Sequence, residues 1–137
     1  MTSSGVTDVT FDNSTKQLKK TINGTTTNIA TLVFTPGAGN YSAVGGNDSV
    51  ANGNYSLAFG NSASATANLA IAFGSANATG ECSLAGGIQW AQRNYPSIAS
   101  GNYAISWGLS SVAAGNSSVA FGQGTTASSS YSVAMGN

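Results

Sequence analysis

The sequence predicts an all-β fold: a parallel β-solenoid, or roll, of about seven 14-residue coils, preceded by a small N-terminal β meander. Three observations predict it. A six-residue phrase recurs seven times, at 41–46 (YSAVGG), 55–60 (YSLAFG), 69–74 (LAIAFG), 82–87 (CSLAGG), 103–108 (YAISWG), 117–122 (SSVAFG) and 131–136 (YSVAMG). The closing glycines stand 14, 14, 13, 21, 14 and 14 residues apart, and an alanine (Ala51, Ala65, Ala78, Ala99, Ala113, Ala127) lies five residues before the second slot of each later phrase. Within the phrase, large residues alternate with small ones at the period of two that marks a strand, where a helix needs 3.6.

The meander comes first. Val6–Phe11 alternates as a strand, residues 12–14 turn, Gln17–Ile22 alternates again, Asn23-Gly24 is a strong hairpin signal, and residues 28–34 make a third strand. Three of the four cations, Lys16, Lys19 and Lys20, fall in this stretch. So short a meander buries too little to stand alone and is expected to pair with neighbouring copies or with a docking partner. Phe11, Lys16, Leu18, Lys19, Lys20 and Ile22 are the candidate attachment residues. Pro36-Gly37-Ala38-Gly39 reads as the junction, giving an attachment domain over 1–37 and a roll over 38–137.

In the roll, Tyr55, Leu57 and Phe59 are expected on one strand face and Ser56, Ala58 and Gly60 on the other. A second, weaker strand is expected around the Ala-x-Gly of 51–53, 99–101 and 113–115, with Gly or Asn at the corners where φ turns positive. The backbone N–H and C=O groups of such a coil point along the stacking axis, and only another coil can pair them. Coils this short enclose a thin interior. That suits the Ser/Ala column (Ser56, Ala70, Ser83, Ala104, Ser118, Ser132) and the column Val44, Ala58, Ala72, Ala85, Ser106, Ala120, Ala134.

The large residues are then left outside: Leu57, Ile71, Leu84, Ile105, Val119 and Val133, beside Phe59, Phe73, Trp107, Phe121 and Met135. The stripe exceeds what a monomer usually exposes, so an obligate oligomer is expected, most simply a ring of parallel chains. The opposite assignment has the large face filling the roll of a monomer. Cys82 reads as a small buried hydrophobe with no disulfide implied.

Seven extra residues lie between Gly87 and Ala99, in a segment holding Trp90, Arg93 and Tyr95. Insertions in a solenoid emerge as loops, and these residue types are common at interface hot spots. The segment either contacts a neighbouring protein or a surface glycan or protein, or folds back to cover the roll or lock adjacent protomers.

Other chemistry is excluded by composition. With 6% charged residues, zero net charge and no histidine, neither nucleic-acid binding nor a strongly charged partner is implied. Asp8, Asp12, Asp48 and Glu81 are scattered and form no acid/base pair, so no enzyme, no cofactor and no metal are expected. No stretch reads as a signal peptide or membrane span, and no membrane insertion is expected.

The phrases SSVAFG, YSVAMG and YSLAFG, with their Ala-x-Gly half-repeat, resemble the head repeats of the YadA-like trimeric adhesins. The resemblance covers about residues 41–137. It implies a left-handed parallel β-roll with three chains around one axis, a homotrimer whose interface is the outer stripe named above. Residues 12–32, DNSTKQLKKTINGTTTNIATL, are similar to N-terminal pieces of fibre proteins of phages infecting Bacteroides-like bacteria, the crAss-like phages among them. In such fibres this end fixes the shaft to the particle.

The expectation is therefore a structural head or tail fibre of a phage virion, assembled in the host cytoplasm. A head fragment of a trimeric bacterial surface adhesin is the alternative, and a carbohydrate-binding module the third reading. The chain departs from the adhesins in having no recognisable signal peptide and in closing at Gly136-Asn137, on a repeat.

Overall fold

The computed structural model describes residues 6–12, 14, 17–31, 34–87 and 96–137, with side chains at 6, 7, 11 and 29–31 excepted. The chain forms two compact units, Met1–Thr35 and Pro36–Asn137. It is all-β and contains no helix among the described residues.

In the first unit, strands β1 (Val6–Asp12), β2 (Gln17–Ile22) and β3 (Thr25–Thr31) form an antiparallel sheet in that order. Asn23 and Gly24, at φ +50° and +79°, make the two-residue hairpin turn whose twist matches the strands it joins. That turn commits Thr25 to face Ile22, so the third strand begins three residues before its expected start at 28. No side chain described in this unit is buried, and Val9 and residues 23–28 are exposed.

The second unit is a parallel β-solenoid of about six turns. Each turn has one long and one short strand. The long strands are Ala43–Asn47, Leu57–Asn61, Ile71–Gly74, Leu84–Gly87, Ile105–Leu109, Val119–Gln123 and Val133–Gly136. They stack in chain order in one sheet, which Thr35–Pro36 extends at its start. The short strands, Val50–Ala51, Ser64–Ala65, Asn77–Ala78, Ile98–Ala99, Val112–Ala113 and Thr126–Ala127, stack in the other. Register is constant from coil to coil. Leu57 faces Ile71, Ile71 faces Leu84, Leu84 faces Ile105, Ile105 faces Val119 and Val119 faces Val133.

Every buried side chain in the described residues is alanine or serine. The two sheets are so close that only small side chains are fully enclosed between them, and the expected inward columns are those observed, with Val44 half-buried in the first coil. Ser56, Ser83 and Ser132 each donate a hydroxyl to the carbonyl three residues back, at 2.6 Å. Ser97, Ser106 and Ser111 replace alanine in the middle coils, and their hydroxyls lie 2.9–3.0 Å from one another. Most hydroxyls of the thin interior are thus satisfied, whereas Ser118 Oγ and Thr125 Oγ1 are buried without a hydrogen-bond partner.

The two corners of the coil behave differently. Four residues always separate the buried alanine of the short strand (Ala51, Ala65, Ala78, Ala99, Ala113, Ala127) from the inward residue that opens the next long strand (Ser56, Ala70, Ser83, Ala104, Ser118, Ser132). The other corner varies. Asn61 and Ser62 link Gly60 to Ala63, Ser75 alone links Gly74 to Ala76, and the seven extra residues enter after Gly87. Length changes at this corner leave register intact because the strands on either side are pinned by their neighbours.

Three local expectations are corrected. The first residue of the phrase is not in the strand: Tyr41, Tyr55, Leu69, Cys82, Tyr103, Ser117 and Tyr131 all occupy the left-handed region, with φ from +54° to +60°. Glycine and asparagine, expected at that corner, are displaced one or two residues upstream. The second strand ends at the alanine, before the Ala-x-Gly glycine. A Cβ at Gly53 would lie 1.7 Å from the Ala67 carbonyl oxygen, so this glycine is required by close stacking and not by positive φ. Cys82, placed in a strand by the period, instead sits half-buried at the corner as a free thiol.

The thin interior sets a test. Ala99→Leu is expected to lower stability by about 1–3 kcal/mol or more through overpacking. Ala114→Leu, one coil away on an exposed position, should stay within about 0.5 kcal/mol of the parent. Urea denaturation of both variants checks the contrast.

Candidate functional site

The outer face of the long-strand sheet is a continuous apolar surface of the roll. Strand alternation puts residues three and five of each phrase outward, and register aligns them into two columns. One runs Leu57, Ile71, Leu84, Ile105, Val119, Val133; these are half-buried except Val133, which is exposed. The other runs Phe59, Phe73, Gly86, Trp107, Phe121, Met135, with Trp107 43% and Met135 69% exposed. All eleven residues expected at an interface therefore share this one face. The first coil interrupts the stripe, because Ala43 and Gly45 stand opposite Leu57 and Phe59.

Gly86 leaves a gap in the aromatic column, and Trp107 fills it. The indole of Trp107 lies over Gly86, where an added Cβ would meet ring carbons at 2.2 Å. It reaches to 6.4 Å from the Phe73 ring at 53°, a tilted arrangement that aromatic pairs favour. The column stays continuous although one coil contributes no side chain.

The constant corner carries a second feature. Asn54, Asn68 and Asn116 accept the backbone N–H of Asn40, Asn54 and Asn102 through Oδ1, and Asn102 accepts that of Glu81, at 3.0–3.2 Å. The residue after each asparagine donates its own N–H to the carbonyl at the same slot of the preceding coil, as Tyr55 does to Asn40 and Ser117 does to Asn102. The corner is thereby tied along the axis by side chain and backbone together. Four tyrosines stand on it, 60–84% exposed, and Tyr41 and Tyr55 stack at 5.2 Å with planes 12° apart.

This ladder escaped the sequence reading. An asparagine preceding the phrase in five of its seven copies was the signal for it.

The remaining expected site residues divide. Trp90, Arg93, Tyr95 and Lys16 lie outside the described residues, as does the side chain of Phe11. On the meander, Leu18, Lys20 and Ile22 alternate onto one face of β2, while Lys19 is on the other, ion-paired with Asp12. The attachment set therefore does not form a single patch on this strand. Asp8, Asp48 and Glu81 are exposed, and no group of three or more metal-ligating side chains occurs among the described residues.

A solenoid with an alanine-serine interior and an outward apolar sheet is a scaffold of the kind used in fibres, with its recognition chemistry on the surface. The family model of the YadA head domain repeat (2 copies) matches residues 40–63, 51–77 and 113–137. Over these residues the roll is similar to YadA head domain repeats, and a parallel β-solenoid of this kind is typical of structural and adhesive proteins. No curated protein matches the chain.

Two predictions follow from the packing of these surfaces. Gly86→Ala should cost about 1–3 kcal/mol in the parent chain but much less in a Trp107→Ala background, the coupling being read from a double-mutant cycle of urea midpoints. At the corner, Tyr103→Asn should leave stability unchanged or raise it by up to about 1 kcal/mol, because asparagine tolerates left-handed φ. Tyr103→Val should lower it by about 1–2 kcal/mol, since a β-branched residue does not. Thermal melts of the two variants give the comparison.

Proposed function

We propose that the chain is a non-enzymatic structural fibre protein of a phage virion, on head or tail, and that it works as a homotrimer. The observation that carries this reading is the unbroken, in-register apolar face over coils two to seven. Full burial of a large apolar side chain contributes about 1.5–3 kcal/mol, of which these mostly half-buried residues still have a part to gain, and sister chains carrying the same face are its natural cover. YadA head domains are trimeric, which agrees with that arrangement.

The virion assignment is supported by the likeness of residues 12–32 to the anchoring ends of phage fibres. It is supported too by a first unit with no buried side chain among those described, which suits a segment completed by a docking partner. In this reading residues 1–37 attach to other virion proteins, and residues 38–137 form the shaft. The 88–97 segment, with Trp90, Arg93 and Tyr95, meets a virion neighbour or the host surface. The repeat match equally favours a second reading, a head fragment of a trimeric bacterial surface adhesin.

Sedimentation equilibrium is expected to give the mass of three chains, and Ile105→Asp with Phe121→Asp should reduce it to one. A native single chain in dilute buffer overturns the trimer. Recovery of the chain in purified phage particles supports the virion role, whereas recovery in a bacterial outer-membrane fraction selects the adhesin.

A further inference from the structure

All four tyrosines among the described residues, Tyr41, Tyr55, Tyr103 and Tyr131, occupy one slot at the constant corner. Two features of that slot work against tyrosine. Its left-handed φ is adopted more cheaply by glycine, asparagine or aspartate. Its ring also projects into water, 60–84% exposed, and gains little from the fold beyond the one Tyr41–Tyr55 stack. Bulky side chains held in such conformations cluster where they contact something outside the chain.

The neighbouring groups say what that contact is. Asn54, Asn68, Asn102 and Asn116 are each held by an Oδ1 bond from the preceding coil, which leaves their Nδ2 hydrogens as fixed, unpaired donors beside the rings. Most backbone N–H groups of the corner are already bonded to the next or preceding coil, as those of residues 52–55, 79–82 and 100–103 are, which leaves no continuous edge for an added peptide strand. Charge is nearly absent. Glu81 is the only ionised side chain at these slots, and no lysine or arginine occupies one of them. The slots themselves offer an anionic polymer no counter-charge.

We propose that this corner binds a neutral polysaccharide laid along the roll axis. The rings would cover the apolar C–H faces of sugars and the oriented amides would donate to their hydroxyls, the pairing of rigid aromatics with adaptable amides that serves recognition elsewhere. Tyr41 and Tyr131 are six coils apart, about 29 Å at the usual strand spacing, which suits a chain of several residues and not a monosaccharide. The inference rests on the fibre reading, which exposes the roll to glycans. It uses residues other than the 88–97 segment.

The test is affinity electrophoresis of the full chain through gels containing a soluble neutral glucan, mannan or xylan, with the anionic polymer alginate as control. Retardation by at least one neutral polymer, unchanged by added salt, is expected. It should fall at least tenfold in a variant carrying Tyr41→Asn, Tyr55→Asn, Tyr103→Asn and Tyr131→Asn, a change the left-handed slots accommodate. Absence of retardation, retardation by alginate alone, or undiminished binding by the variant overturns the proposal. Sedimentation of the same samples separates the two readings. A trimer that binds no glycan sinks this inference and leaves the fibre intact, and a variant that falls to single chains shows the rings packed against sister chains instead.

Discussion

The closeness of the two sheets is the constraint from which the rest of this molecule follows. Parallel strands joined by two short corners must lie near each other, and the gap is filled by methyls and hydroxyls, with Val44 the one larger inward side chain, in the first coil. In an ordinary domain the large apolar side chains form the core and polar ones face water. Here the order is inverted. Small residues line the inside, and leucine, isoleucine, phenylalanine and tryptophan are forced outward, where the single chain leaves them half-buried or exposed. A surface suited to association is therefore a product of the coil itself.

Stacking supplies the second layer of organisation. Because every coil presents the same backbone groups to the next, an identical slot recurs at each level and any residue in it touches its counterparts above and below. The asparagine ladder, the glycine column and the aromatic column are three results of that rule. The Trp107 ring over Gly86 shows its strength: when one level lacks a side chain, the adjacent one closes the gap and the ladder continues.

Much of this was legible in the sequence, because a period of 14 and an alternation of large with small fix coil number, strand face and interior together. The inward columns and the outward stripe needed no further information. The corner was not legible. The first residue of the phrase, a tyrosine in four of the seven copies, extends the alternation by one step, so period alone assigns Tyr55 and Cys82 to the strand, whereas the chain has to reverse direction there and takes left-handed φ. The ladder of amides was equally hidden, since its bonds join residues 14 or 21 apart that look like ordinary turn formers in any one repeat. The start of the third meander strand was misplaced for a local reason, the tight Asn23-Gly24 turn.

One corner of every coil keeps a fixed length while the opposite one gains or loses residues without disturbing the sheets. The roll is therefore a calibrated rack. A peptide spliced after the closing glycine of a chosen repeat would be held at a height fixed by the number of that repeat, and in a three-chain shaft it would be presented in triplicate at one level. Spacing between two such grafts could be dialled in steps of a single strand separation, about 4.8 Å, which few globular hosts permit.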